Sequence, residues 1–203
     1  PLEEDVSTLG DPADWILEWK WDGIRAQLVK RGGAIHLWSR GEELITHRFP
    51  EIVAAATHLP DGTVLDGEVL AFRDDRPLPF SALQQRIGRQ KQVAQMARAV
   101  PVVFMTYDLL EQNGMDIRSL PLSERRERLI NLLPSGVLRP SPVVVGSSWD
   151  ALAEVRSESR VRGVEGLMLK RASSAYGVGR KRGDWWKWKI EPYTIDAVLI
   201  YAQ

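Results

Sequence analysis

Apolar and polar residues alternate along 15–20, with Trp15, Leu17 and Trp19 on one face of an extended segment and Glu18 and Lys20 on the other. Asp22-Gly23 reads as a turn, after which 24–29 resumes the alternation with Ile24, Ala26 and Leu28 together, which predicts an antiparallel hairpin. Arg31-Gly32-Gly33 makes a second turn, and 34–38 a third strand that ends in Ser39-Arg40. Phe49-Pro50-Glu51 opens a helix carrying Ile52, Val53 and Ala56 at helical spacing, which stops near Leu59-Pro60. Asp61-Gly62 then turns into a strand over 63–72. Its Val64, Asp66, Glu68 and Leu70 share a face, so two carboxylates stand on a strand that should be core.

The second half continues in the same mixture. A single helix is predicted over 80–99, made basic by Arg86, Arg89, Lys91 and Arg98. An apolar strand over 102–108 leads toward an Asn113-Gly114 turn, and an amphipathic helix over 122–133 has Ser123 placed to cap it. Leu122, Leu129 and Leu132 on that helix are core positions. A Pro-rich connector (134–142), a short strand (143–145) and a helix (149–160) follow. A strand over 165–171, a loop carrying Arg180-Lys181-Arg182 and a strand over 185–190 complete the pattern. On the last strand Trp185, Lys187 and Lys189 share one face, and Trp186, Trp188 and Ile190 the other. The predicted class is α+β, antiparallel sheets flanked by helices.

Composition narrows this only slightly. At 203 residues, 44% hydrophobic and 27% charged, the chain has ordinary globular proportions and enough length to bury a core. No apolar run approaches 18 residues and no basic-then-apolar leader opens the sequence, so neither a membrane span nor an export signal is expected, and a cytoplasmic location is. Without cysteine there is no disulfide and no thiolate metal site. Lys+Arg and Asp+Glu balance at 27 each, so nucleic-acid binding would have to rest on local patches.

The candidate chemistry lies in charges set where strands would otherwise bury apolar groups: Glu18/Lys20, Arg40, Asp66/Glu68, Glu165 and Lys187/Lys189. Singly, each reads as a solvated face, and Lys20-x-Asp22-Gly23 as a half-exposed strand lysine. Together they suit a pocket for phosphate and a divalent cation. His36, His47 and His58 have no metal-site spacing, and Gly177-Val178-Gly179 lacks the setting of a dinucleotide loop.

Lys20-Trp21-Asp22-Gly23-Ile24-Arg25, Ser39-Arg40, Asp66-Gly67-Glu68, Tyr107-Asp108-Leu109-Leu110, Glu165-Gly166-Leu167-Met168-Leu169-Lys170 and Trp185-Trp186-Lys187-Trp188-Lys189 stand in the order of the covalent nucleotidyltransferase motifs. Over nearly its whole length the chain resembles the adenylation domain of bacterial ATP-dependent DNA ligases, with that family's ATP-grasp-like fold. The resemblance implies that Lys20 attacks the α-phosphorus of ATP, forming lysyl-AMP. AMP then passes to the 5′-phosphate of a nick in double-stranded DNA, and the 3′-hydroxyl displaces it. It puts Glu18 near the adenine edge, Arg25 and Arg40 on ribose and phosphate, Glu68 by the ribose hydroxyl and Tyr107 on the adenine face. It puts Glu165, with Glu68, beside Mg2+, and Lys187 and Lys189 on the α-phosphate. Arg40, Phe80 and Arg182 are its candidate DNA contacts; Phe80 reads equally as an apolar helix-start residue, and the loop at 180–182 as a solvated turn.

A free lysine has a pKa near 10.4, so only about one in 2,500 is neutral at pH 7. Neighbouring cations and Mg2+ would favour a neutral nucleophile, whereas Asp22 and Glu18 oppose it. The same motifs occur more loosely in RNA ligases, RNA-capping guanylyltransferases and NAD-dependent DNA ligases, and a non-catalytic nucleic-acid-binding module could keep the fold. The family continues into an OB-fold. Residues 1–193 are accordingly expected to form the adenylation domain, 194–203 a junction strand toward that OB-fold, and the molecule a monomer.

Overall fold

In the computed structural model, residues 1–88, 92–133, 136–177, 179 and 182–191 are described. In chain order the elements are β1 (Trp15–Trp19), β2 (Ile24–Arg31), β3 (Ala34–Ser39), α1 (Pro50–Ala56), β4 (Thr63–Arg73), β5 (Arg76–Pro77), α2 (Phe80–Ile87) and α3 (Val93–Ala99). There follow β6 (Val102–Gln112), β7 (Met115–Asp116), α4 (Leu122–Leu132), β8 (Leu138–Pro140), β9 (Val143–Val144), α5 (Trp149–Ser157), α6 (Ser159–Arg162), β10 (Gly166–Arg171) and β11 (Trp185–Lys189). Short 3-10 turns cover Val6–Leu9, Pro12–Asp14 and Thr46–Arg48.

The strands form two sheets. One has the order β11-β10-β1-β9; the other runs β3-β2-β4-β6-β7, with β5 on β4 and β8 on β6. All pairs are antiparallel except β6 with β8. The larger sheet covers an aliphatic core that includes Leu28, Leu37, Ile52, Leu65, Val69, Phe104 and Leu129. The smaller has a tryptophan-rich core of Trp15, Leu17, Trp19, Trp149, Leu152, Leu167 and Leu169, with Trp186 and Trp188 packed on it. Trp186 and Trp188 thus take the inner face of β11, as the alternation predicts, and leave Trp185, Lys187 and Lys189 on the other.

The hairpin expected between 15–20 and 24–29 does not form. β1 pairs with β10 and β9, and β2 with β3 and β4, so residues 20–23 cross from one sheet to the other. Alternation fixes which residues share a face and is silent about the partner strand. Trp21, in the crossing, packs against the tryptophan core and also against a small cluster of Leu70, Phe72, Val103 and Met105. Gly23 is required there: a Cβ would lie 2.4 Å from the Val69 carbonyl oxygen and 2.6 Å from Leu70.

Other expectations shift as well. The helix predicted over 80–99 is two, α2 and α3; Gln92, ahead of α3, has a left-handed φ of 65°, and residues 89–91 lie outside the described set. Arg86 is no surface charge: it is buried in a bidentate pair with Glu51, at 2.6 Å for Nη2 to Oε2. Ser123 does not cap α4, which starts at Leu122 after Pro121. The Pro-rich connector contains β8, and α5 stops at Ser157. The Gly32-Gly33 and Asn113-Gly114 turns form as read, all four residues at positive φ. The junction strand at 194–203 lies outside the described residues. Among the described residues no helix is long and apolar enough to cross a membrane.

Candidate active site

Lys20 leaves the end of β1 where the two sheets approach. Its backbone N–H donates to the Gly166 carbonyl at 2.8 Å, and its carbonyl accepts from the Glu165 N–H at 2.9 Å. This reciprocal pair fixes the two backbones, and the side chains follow: Lys20 Nζ donates to Glu165 Oε2. Lys189 Nζ lies 3.3 Å from the same oxygen. Gly166 makes room for β11, since a Cβ on it would sit 2.4 Å from the Trp188 carbonyl oxygen. Burial would raise the Glu165 carboxyl, but Lys20 and then Lys189 outweigh it and hold it below the usual range. Asp22 is pushed up by burial and by the Glu165 charge. Lys187 is exposed on the same face of β11 and pairs in register with Met168.

A second group hangs on Asp66, whose side chain is fully buried in mid-β4. Asp66 Oδ2 accepts from Arg25 Nη2 at 2.8 Å and from the Tyr176 hydroxyl at 2.6 Å, while Oδ1 accepts from the Tyr107 hydroxyl at 3.3 Å. Tyr107 reaches it from a bulge: Asp66 pairs with Asp108 and Gly67 with Thr106, leaving Tyr107 as the extra residue of β6. Glu68 stands two residues along β4, opposite Arg25. Burial, opposed by Lys20 and Arg25, pushes its carboxyl up to about 7.

Glu18 departs most from the sequence reading. It is not on a solvent-lined face but buried, paired with Arg126 of α4 and, at 2.6 Å, with Lys170 of β10. Lys170 Nζ in turn lies 4.3 Å from the Tyr107 ring centroid and 4.6 Å from that of Trp185. Glu18 therefore reaches the Tyr107 surface through Lys170.

Arg40 is exposed, and its N–H donates to the Arg25 carbonyl at 3.0 Å. Arg25, Ser39 and Arg40 line two adjoining clefts of about 450 and 410 Å³; Asp66 borders the first and Glu68 the second. Phe80 is half-buried at the start of α2, against the aliphatic core. Arg182 is exposed in the turn before β11, and Arg180 and Lys181 lie outside the described residues.

The structure thus brings Lys20, Glu165 and Lys189 into one cluster and Arg25, Tyr107 and Glu68 around another, with Lys187 and Arg40 at their margins. Sequence reasoning missed Tyr176, Lys170 and Arg126, and treated Asp66 only as a neighbour of Glu68. An isolated tyrosine in a polar loop, and a lysine closing an apolar strand, were the available signals. Among the described residues no three His, Asp or Glu side chains gather as a metal cage. Glu165 and Glu68 are hard carboxylate donors of the kind that could hold a Mg2+ ion taking most of its ligands from water and phosphate. A part-buried amine and a second lysine on one carboxylate, near a tyrosine ring and a set of buried polar groups, suit transfer of a phosphoryl-linked nucleotide.

The family model described as ATP dependent DNA ligase domain matches residues 2–189. A probable DNA ligase of Streptomyces coelicolor is 36% identical over 206 residues, covering 100% of this chain and 39% of that protein. One from Koribacter versatilis is 37% identical over 228 residues, covering 100% and 39%. Among solved structures, mycobacterial DNA ligase D complexed with ATP and MES is similar at a TM-score of 0.68 and 30% identity, over 86% of this chain and 54% of that one. Chlorella virus DNA ligase-adenylate shares the fold at a TM-score of 0.59 and 20% identity, over 92% of this chain and 65% of that one. The chain spans about two fifths of the length of these curated relatives.

Proposed function

The chain belongs to the ATP dependent DNA ligase domain family, and from that premise we propose that it carries out the nucleotide-transfer chemistry of a DNA ligase with Lys20 as nucleophile. The observation that carries this reading is the Lys20–Glu165–Lys189 cluster at the seam of the two sheets.

In the first step the Lys20 nitrogen lone pair forms a bond to the α-phosphorus of ATP, and the bond from that phosphorus to the bridging oxygen breaks. Pyrophosphate leaves with the electron pair. The proton lost from Nζ has an acceptor in Glu165, which already takes a hydrogen bond from it. Lys189, and Lys187 beside it on β11, offset charge building on the α-phosphate. Tyr107 offers a face to the base, with Lys170 and Glu18 behind it; Glu68 is assigned to a ribose hydroxyl, and Arg25 and Arg40 to ribose and phosphate. Mg2+, held by Glu165 and Glu68 together with phosphate oxygens, would supply further charge neutralisation. In the later steps AMP moves to the 5′-phosphate of nicked duplex DNA, with Arg40 facing that phosphate, and the 3′-hydroxyl then displaces it. Phe80 and Arg182 are further DNA contacts in this reading.

We assign residues 1–193 to this adenylation unit and 194–203 to a junction, the full protein adding an OB-fold and acting as a monomer. The greater length of the relatives supports such an addition.

The test is covalent labelling with radioactive ATP, GTP or NAD, resolved by denaturing electrophoresis. ATP alone should label the parent chain, and Lys20→Arg should melt within about 2 °C of it yet take no acid-labile AMP. Label from GTP would redirect the reading to a capping enzyme, and equal labelling of the variant would remove Lys20 from the role.

A further inference from the structure

Arg25 has 41% of its side chain open to solvent, whereas its partner Asp66 has none. A long, half-exposed side chain is costly to hold in one rotamer, so its partners decide whether it is ready for a ligand. Two groups hold its head. Asp66 takes Nη2 at 2.8 Å and Nε at 3.4 Å, and the Tyr176 hydroxyl accepts from Nη2 at 3.1 Å. That same hydroxyl donates to Asp66 Oδ2 at 2.6 Å. It therefore bridges both ends of the ion pair, accepting from the cation and donating to the anion. Burial raises both the Tyr176 and the Tyr107 hydroxyls above their ordinary values, so both stay protonated donors across the working pH range.

Tyr176 comes from a distant part of the chain. It lies between β10 and β11 of the smaller sheet, whereas Arg25 and Asp66 belong to the larger. Its own place is set independently of Asp66. The backbone N–H donates to the Arg118 carbonyl at 2.8 Å, and the ring meets Trp185 edge-on, with centroids 6.0 Å apart at 89°. The Arg125 guanidinium lies 6.0 Å from its centroid. The phenol oxygen is thus delivered to the Arg25–Asp66 pair by an anchored ring.

We propose that Tyr176 is a positioning residue for nucleotide binding, its hydroxyl fixing the Arg25 guanidinium against Asp66 in the orientation that receives the ribose and phosphate of ATP. The inference rests on the assignment of Arg25 to the nucleotide. It predicts an effect on affinity more than on the chemical step, because among the described residues the Lys20 side chain bonds to Glu165 and not to any member of this group. It also predicts that the effect vanishes when Arg25 is gone.

Tyr176→Phe keeps the ring and its contacts and deletes one oxygen. Single-turnover self-labelling of the 203-residue chain, run as a function of ATP concentration, should give a half-saturating ATP raised roughly tenfold, the scale of losing one hydrogen bond to a charged group. The rate at saturating ATP should stay within about twofold, and the melting temperature close to the parent's. In an Arg25→Gln background, adding Tyr176→Phe should change half-saturation by less than about twofold, the non-additivity expected of side chains that act through each other. An unchanged half-saturation in the single variant overturns the proposal. So does a full tenfold increment in the Arg25→Gln background, which would mean that Tyr176 acts by another route. If the parent takes label and Lys20→Arg does not, the ligase reading stands whatever Tyr176 does. If the parent takes none, both fall.

Discussion

Strands β1 and β10 carry two ionic clusters of the same make-up, one glutamate between two cations, and the pair differs mainly in access to water. In the first, Glu18 of β1 lies between Lys170 of β10 and Arg126, with side-chain exposures of 3%, 2% and 6%. In the second the signs are exchanged between the strands. Lys20 follows β1 and Glu165 precedes β10, with Lys189 as the third member, at exposures of 17%, 36% and 46%. Each has one positive charge in excess. The buried cluster disposes of its excess internally: Lys170 lies over two aromatic rings, and Arg126 donates also to the Ser141 carbonyl. The open one presents its excess to solvent, where an incoming phosphate can take it up. Residue type alone does not tell the two clusters apart; enclosure does.

The sharpest way to break the comparison is to remove one cation from each cluster. Arg126→Met leaves Glu18 buried with half its partners and should cost about 3–5 kcal/mol in urea unfolding. Lys189→Met, at the open cluster, should cost less than about 1 kcal/mol. Equal losses would show that the open cluster is scaffold too. A smaller effect is expected from Glu165→Ala. Its loss should slow self-labelling about ten- to hundredfold and flatten the response to added Mg2+, with little change in melting temperature. An unchanged rate and metal titration would move Glu165 into the structural class with Glu18.

The smallest effect concerns pH. Glu68 has a folded pKa of about 7, above the ordinary carboxylate value, so the folded state binds its proton more tightly than the unfolded chain does. Its contribution to stability is present in full below the unfolded pKa near 4.5 and is lost as pH rises toward 7. Melting temperature measured from pH 5 to pH 8 should therefore fall less in Glu68→Gln than in the parent. A parallel fall in both would show that this carboxyl is not the group that titrates.

Much of the larger arrangement could be read from residue order. The alternation on β11 assigns Lys187 and Lys189 to the face away from the core, because tryptophans fill the intervening positions, and the two positive-φ turns follow from Gly32-Gly33 and Asn113-Gly114. What could not be read depends on chain segments far apart in sequence. Tyr176 and Asp66 are 110 residues apart, and neither carries a local pattern that points to the other. Glu18 alternates as a surface residue should; its burial follows from Arg126, 108 positions away. The false hairpin at Asp22-Gly23 has the same origin. Two alternating strands joined by a turn-like pair satisfy every local rule for pairing, and competition from β10 and β4 decides otherwise.

The crossing at residues 20–23 has a mechanical consequence. Trp19 ends one sheet and Ile24 begins the other, so the chain between them can reach at most about 18 Å when fully extended. Trp21 is wedged against cores on both sides, which removes most of the remaining slack. A second and shorter crossing, Ser141-Pro142, joins β8 of the larger sheet to β9 of the smaller, so a force that parts the sheets is shared between the two, and the amine of Lys20 rides on the end of the first. The spacing of the two sheets and the reach of the Lys20 amine are thus tied to each other through these short crossings.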